Sequence, residues 1–219
     1  MTSTRTFERF DYAFCYCEEN VYKACERYKN KEIYAVFISS PKRKLPLWAQ
    51  RLAKQANKPV IWDYHVILIE KRDGRSFVID FDTNTIESCH ERDTDDVRAV
   101  YPILFKDYVN ATIHPEINLG SVDFERRFRV IPASLYLDHF ASDRSHMLKQ
   151  DFLDSASGLA EHKPDHYHMP PPKWPAICGP ESAKRCISMN LDDYINMTPG
   201  EHGDKGDVYG QASFILLFK

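Results

Sequence analysis

An α+β domain, with a central antiparallel sheet flanked by helices, is the fold class the sequence predicts, and three observations predict it. Residues 60–82 hold two runs rich in β-branched and aromatic residues around an Asp73-Gly74 turn signal, which reads as an antiparallel hairpin. Segments with helical spacing stand before and after this hairpin rather than alternating with single strands, the order expected of helices packed on an antiparallel sheet. The 219 residues, 43% of them hydrophobic, fit a single catalytic domain over 1–219 with a real core and no internal repeat.

Taken in order, Cys15-Tyr16-Cys17-Glu18-Glu19-Asn20 leads into a helix. Val21, Ala24, Cys25 and Tyr28 recur at steps of three and four, with Glu18, Glu19, Lys23, Glu26 and Arg27 between them. Acidic residues suit a first turn, where unpaired N–H groups and the helix dipole favour negative charge. The same field favours a thiolate on Cys17, which is expected to react near neutral pH and to be alkylated before the other thiols. The alternative for Cys15, Cys17 and Cys25 is that each is a small buried apolar residue.

Ile33 to Ser39 reads as a strand, and Pro46 to Ala53 as a short helix that starts at its proline. Val60 to Glu70 reads as a long strand, returning through Ser76 to Asp82. With Asp73 and Gly74 as the two loop residues, paired positions sum to 73 + 74 = 147, so His65 faces Asp82 and lies diagonal to Asp80. Opposed Cβ atoms are roughly 5 Å apart and diagonal ones roughly 7 to 8 Å, so either carboxylate can reach the imidazole, and periodicity does not choose. Pro102 to Ile113 reads as an amphipathic helix, Phe128 to Pro132 as a strand, and Ser134 to Phe140 as a helix capped by Ser134. Lys149 to Lys173 is polar and then proline-rich; His162, His166 and His168 lack converging acid or cysteine ligands, which favours a loop over a metal site.

Cys17, His65 and an aspartate supply, in chain order, a nucleophile, a base and a carboxylate that orients the base. A carboxylate on one imidazole nitrogen sets the tautomer, leaving the other nitrogen to take and return the thiol proton. The competing reading is a half-buried strand histidine held by a neighbouring aspartate.

These residues resemble the eukaryotic protein N-terminal glutamine amidohydrolases, which convert an N-terminal glutamine to glutamate. The resemblance rests on Cys15-Tyr16-Cys17-Glu18-Glu19-Asn20, Tyr34-Ala35-Val36-Phe37-Ile38-Ser39, Val60-Ile61-Trp62-Asp63-Tyr64-His65-Val66, Asp80-Phe81-Asp82-Thr83, Phe128-Arg129-Val130-Ile131 and Phe140-Ala141-Ser142-Asp143-Arg144-Ser145-His146-Met147. It implies Cys17 as nucleophile, His65 as base and Asp80 as the orienting acid. It also implies a papain-like or transglutaminase-like core, no cofactor, and protein or peptide substrates with a free N-terminal glutamine. An anionic or carbonyl group must then meet the substrate's α-ammonium group, and Asp143 is the substrate-binding candidate, with capping of a turn as its alternative role. Two stretches depart from the family pattern: Asn84 to Val100, which reads as a surface insertion, and the tail from Gly200 to Gly210. Cys89 and His90 in the first have no second Cys/His pair at zinc-ligand spacing.

A net charge of −3 without a long basic run argues against a nucleic-acid partner. No apolar leader and no run of about 18 apolar residues argue against secretion and a membrane span. A monomer in the cytoplasm, and also in the nucleus, is expected. The six cysteines, irregularly spaced, are expected as free thiols. Rival readings are transglutaminase-like or cysteine-protease acyl transfer, and a non-catalytic module that binds protein N-termini.

Overall fold

The turn at Asp73-Gly74 forms as expected, with both residues at positive φ, 51° and 69°, the backbone that a two-residue hairpin loop of right-handed twist requires. The computed structural model describes residues 8–55, 57–84, 97–153, 163–200 and 203–219. In chain order these form β1 (Glu8–Asp11), α1 (Cys17–Arg27), β2 (Glu32–Ser39), β3 (Leu45–Leu47), β4 (Val60–Trp62), β5 (Tyr64–Arg72), β6 (Arg75–Ile79), β7 (Val97–Val100), β8 (Ile103–Leu104) and α2 (Phe105–Tyr108). There follow β9 (Arg127–Pro132), α3 (Ala133–His139), β10 (Ala141–Ser142), α4 (Gln150–Leu153), β11 (Ile177–Cys178), α5 (Pro180–Lys184), α6 (Leu191–Ile195), β12 (Asp207–Gly210) and α7 (Gln211–Phe218). The α+β class holds: six strands in the order β12-β9-β2-β5-β6-β8 make one antiparallel sheet, with helices against it.

β5 and β6 pair from Arg72↔Arg75 to Leu68↔Ile79, which is the expected register. The ladder stops there, so His65, Asp80 and Asp82 lie past its end. The single strand expected over 60–70 breaks at Asp63, whose carboxylate accepts the Tyr64 N–H at 2.9 Å and whose carbonyl accepts the Ser39 hydroxyl at 2.6 Å. Local side-chain bonds of this kind compete with the ladder.

Four other expectations are corrected. Residues 45–47 form β3, paired with β4, instead of opening a helix at Pro46; Leu45 and Leu47 are fully buried, and Ala49 at φ 48° ends the extended run. Tertiary burial overrides the helix-start signal of the proline. The helix expected from Pro102 starts at Phe105, and its end widens so that the His114 N–H reaches the Val109 carbonyl at 2.9 Å. α3 starts at Ala133 with Pro132 in the cap position and no side-chain cap, so Ser134 does not cap it. The stretch 84–100 is not surface throughout, because β7 pairs with β1 and buries Ala99 and Val100. Cys89, His90 and His162 lie outside the described residues; His166 stacks on Phe152 with ring centroids 4.0 Å apart.

Side chains alternate across the sheet. One face carries Ala35, Phe37, Val66, Leu68, Ile79 and Ile131 beneath α1, α3 and α6; the other carries Val36, Ile38, Ile67, Ile69, Val78 and Val130 against α2 and α7. On this second face Phe128 and Phe214 stack at 4.0 Å.

Candidate active site

α1 opens directly on Cys17, and Cys15 ahead of it takes φ 65°, which turns the chain sharply into the helix. The apolar stripe of α1 packs on the sheet as its spacing predicts, but its first turn is buried all round: Cys17 is 6% exposed, and Glu18, Glu19 and Asn20 are fully buried. The Asn20 side chain ties the turn to Ala13, accepting its N–H at 2.8 Å and donating to its carbonyl at 2.9 Å. The Val66 N–H, beyond the end of the β5–β6 ladder and next to His65, favours the charged form of the Cys17 sulfur.

His65 continues the Ile67 and Ile69 side of β5, so it comes from the face opposite the Cys17 cluster. Its Nε2 meets Asp80 Oδ1 at 2.8 Å, Trp62 stacks on its ring at 5.0 Å, and its Nδ1 has no hydrogen-bond partner among the described residues. Asp80 is held in turn by the Asp82 N–H at 2.9 Å, the Tyr108 hydroxyl at 2.9 Å and Gln50 Nε2 at 3.3 Å. Of the two carboxylates that register left open, Asp80 makes the bond. Asp82 accepts the Tyr12 hydroxyl at 2.8 Å and faces Arg98, which β7 supplies, at 3.6 Å. Thiol and imidazole have Asp82 and Glu18 as common charged neighbours.

The electrostatics of the two halves differ. Burial pushes the Cys17 thiol well above its ordinary pKa, and the Glu18 and Asp82 charges add to this, with only the Val66 N–H opposing. The low thiol pKa expected from the helix start is therefore corrected: the resting group is a neutral thiol, since the desolvation and acidic neighbours outweigh the dipole. For His65 burial works downward, but Asp80, by charge and hydrogen bond, and then Asp82 and Glu18 carry its pKa above the ordinary imidazole value. Burial likewise works upward on Asp80, and protonated His65 with the Asp82 and Tyr108 donors brings it below the usual carboxylate value.

His65, Asp80 and Asp82 are the only described residues whose donor atoms cluster closely enough to hold a metal ion, all within 4.8 Å. Those donors are already used: both Asp80 oxygens and Asp82 Oδ1 accept protein hydrogen bonds. The chemistry of the set suits an oriented imidazole base better than a metal ligand group.

Asp143 is not drawn to this centre. Its Oδ1 accepts the Ser145 N–H at 3.0 Å and its Oδ2 the Ser188 hydroxyl at 3.0 Å, so it caps a turn beside a cavity of about 320 Å³ that Cys178 and Cys186 also line. The neighbouring residue in the motif reaches the helix start instead: Arg144, at φ 67°, grips Glu19 with two bonds of 2.8 Å, and Trp174 Nε1 donates to Glu19 at 2.7 Å. Glu18 accepts the Tyr64 hydroxyl at 2.9 Å, and the thiol lies 3.6 Å from the same oxygen. Glu18, Tyr64, Tyr108, Gln50 and Arg144 were not singled out as site residues by sequence reasoning. The one available signal was the adjacent Glu18-Glu19 pair, which helical spacing places on a solvated face.

The described helices include none long and apolar enough to cross a membrane. A family model described as N-terminal glutamine amidase matches residues 12–218. Similar proteins named "Protein N-terminal glutamine amidohydrolase" include one from Homo sapiens, 39% identical over 220 residues and covering 94% of this chain and 87% of the relative. One from Danio rerio is 37% identical over 214 residues, 94% of this chain and 88% of the relative. One from Caenorhabditis elegans is 40% identical over 189 residues, 85% and 88%.

Proposed function

This chain belongs to the N-terminal glutamine amidase family, and we propose from that membership and from its site that it hydrolyses the side-chain amide of an N-terminal glutamine, in proteins or peptides, through a thioester on Cys17. The observation that carries the mechanism is the His65–Asp80 bond at 2.8 Å, which leaves Nδ1 without a partner among the described residues, while Asp82 and Glu18 act on both the imidazole and the buried Cys17 thiol.

The Cys17 sulfur attacks the carboxamide carbon while its proton passes to His65 Nδ1. The oxyanion is met by the Cys17 N–H, one of the unpaired donors of the α1 start. Collapse of the tetrahedral adduct breaks the C–N bond; His65 returns the proton to the nitrogen, and ammonia leaves. Water then attacks the thioester, giving one proton to His65, and the C–S bond breaks to yield the glutamate side chain and the thiol. Asp80 keeps Nε2 occupied throughout, so that Nδ1 is the nitrogen that exchanges protons. A thiol at a helix start, served by a histidine on the adjacent sheet, is the arrangement we assign to a papain-like or transglutaminase-like core.

The test is ammonia release from matched peptides beginning with glutamine, asparagine or acetylated glutamine, with wild type and Cys17→Ala. Release from free N-terminal glutamine alone, and only with Cys17 present, is expected. Incorporation of an added amine in place of water points to transglutaminase chemistry, and no release by folded wild type leaves the binding module.

A further inference from the structure

We propose that Glu18 is the anchor for the substrate's α-ammonium group, its unpaired Oε1 accepting from that group while Cys17, one residue away, attacks the side chain. This deepens the reading above and rests on it.

The acids around the thiol differ in what they have left to offer. Glu19 is saturated by Arg144 and Trp174, Asp143 by Ser145 and Ser188, and Asp80 by His65, Tyr108 and the Asp82 N–H. Asp82 is engaged by Tyr12 and Arg98. Glu18 is fully buried, yet only its Oε2 is bonded, accepting from the Tyr64 hydroxyl and the Cys17 thiol; Oε1 has no hydrogen-bond donor among the described residues. His146 Nε2 stands 3.5 Å from Oε1 without bonding it, and neither His146 nitrogen has a hydrogen-bond partner among the described residues. Buried polar atoms without partners are rare and costly, and here Glu18 Oε1 and His146 Nε2 face each other unpartnered among the described residues, with the Cys17 thiol 3.6 Å from the other Glu18 oxygen.

An ammonium group is the ligand such an oxygen selects, because it brings three N–H donors and a compensating charge. His146, 20% exposed, is the side from which the carboxylate is reached. Anchoring the α-nitrogen beside the thiol also sets a length. In glutamine four bonds separate the α-nitrogen from the carboxamide carbon, whereas asparagine has one fewer, which takes its carbon out of the attack distance of about 3–3.5 Å. An internal or acetylated glutamine offers a neutral amide with a single N–H and leaves Glu18 uncompensated.

The experiment uses two peptides that differ only in this group, one beginning with glutamine and the other with its des-amino analogue, and follows ammonia release by wild type, Glu18→Gln and Asp63→Asn. Wild type is expected to favour the ammonium peptide by about 10- to 100-fold in kcat/KM, the worth of a hydrogen bond to a charged group, with most of the effect in KM. Glu18→Gln brings the ratio close to one by losing only the ammonium peptide, while Asp63→Asn, a neighbouring exposed charge, keeps it. An unchanged ratio in Glu18→Gln, its collapse in Asp63→Asn, or equal use of both peptides by wild type overturns the assignment. No ammonia from either peptide with wild type overturns instead the proposed reaction. Since Glu18 is buried, a crystal structure of Cys17→Ala with the glutamine peptide provides a second reading: the α-nitrogen is expected within hydrogen-bond reach of Glu18 Oε1, and its seat on any other acceptor overturns the proposal.

Discussion

The two faces of the central sheet are built on different principles. Beneath α7 the packing is hydrocarbon on hydrocarbon, with Phe105, Phe128, Phe214 and Phe218 fully or almost fully buried among aliphatic strand residues. Beneath α1 the core is threaded with charge: Glu18, Glu19 and Arg144 at the helix start, and Arg129, whose guanidinium is spent on the carbonyls of Tyr194, Asn196, Lys205 and Gly206. The first face contributes stability through burial, at roughly 25 cal/mol per Å² of apolar surface removed from water. On the second face each charge must find a partner, because desolvation can match or exceed what the pair returns. The difference teaches where the chemistry resides: the thiol is delivered by the charged face, and His65 and Asp80 by the apolar one, beyond the end of the β5–β6 ladder but with His65 still paired to β2.

This contrast is sharpest in a pair of substitutions. Asp80→Asn should lower kcat by about 10³- to 10⁴-fold, as loss of the orienting carboxylate does in triads of this logic. Phe214→Ala should do the reverse, costing about 3–5 kcal/mol in urea denaturation with kcat of the folded enzyme unchanged. A large loss of kcat in Phe214→Ala would mean that the faces are coupled. Glu19→Gln, which leaves the Arg144 charge buried without its partner, should cost about 3 kcal/mol and reduce activity with it, since the ion pair holds the first turn of α1.

Smaller effects report on the base. In the proposed mechanism His65 must be neutral to take the thiol proton, and its pKa lies above the ordinary imidazole value, so kcat/KM should rise with pH along a limb set above about 6.5. Asp80→Asn should move that limb downward. The same shift acts on stability with opposite sign: the protonated His65–Asp80 pair favours the fold fully below about pH 6.5, and that contribution is lost as pH rises through the raised value. Asp80, held low, contributes above the ordinary carboxylate range and loses it as pH falls through its depressed value. Tyr108→Phe removes one of the bonds to Asp80 and should cost about 1 kcal/mol, or a few-fold in kcat if that bond tunes the carboxylate. Alkylation checks the corrected thiol: iodoacetamide should label exposed Cys178 and Cys186 ahead of buried Cys17.

By itself the sequence determined what depends on neighbours along the chain. The hairpin and its register follow from Asp73-Gly74 between two runs rich in β-branched and aromatic residues, and α1 follows from its three- and four-residue spacing; the turn, the register and the start of α1 recur in the structure, while the outer ends of the hairpin strands do not. Cys17 and His65 were singled out for the same reason, each sitting at a definable position on a predicted element, whereas register left Asp80 and Asp82 open and only the family resemblance pointed to Asp80. Tertiary structure decided what depends on residues far apart. Pro46 lies in a strand because β4 arrives to pair with it. Glu18 and Glu19 read as a solvated face until Tyr64, from 46 residues away, and Arg144, from 125 residues away, close over them. Asp80 rather than Asp82 meets the imidazole because the ladder ends at Leu68, past which β-sheet register no longer dictates which side chains oppose. The thiol's raised pKa belongs to the same class, since a helix dipole is a local field, whereas desolvation is the sum of everything that packs around the sulfur.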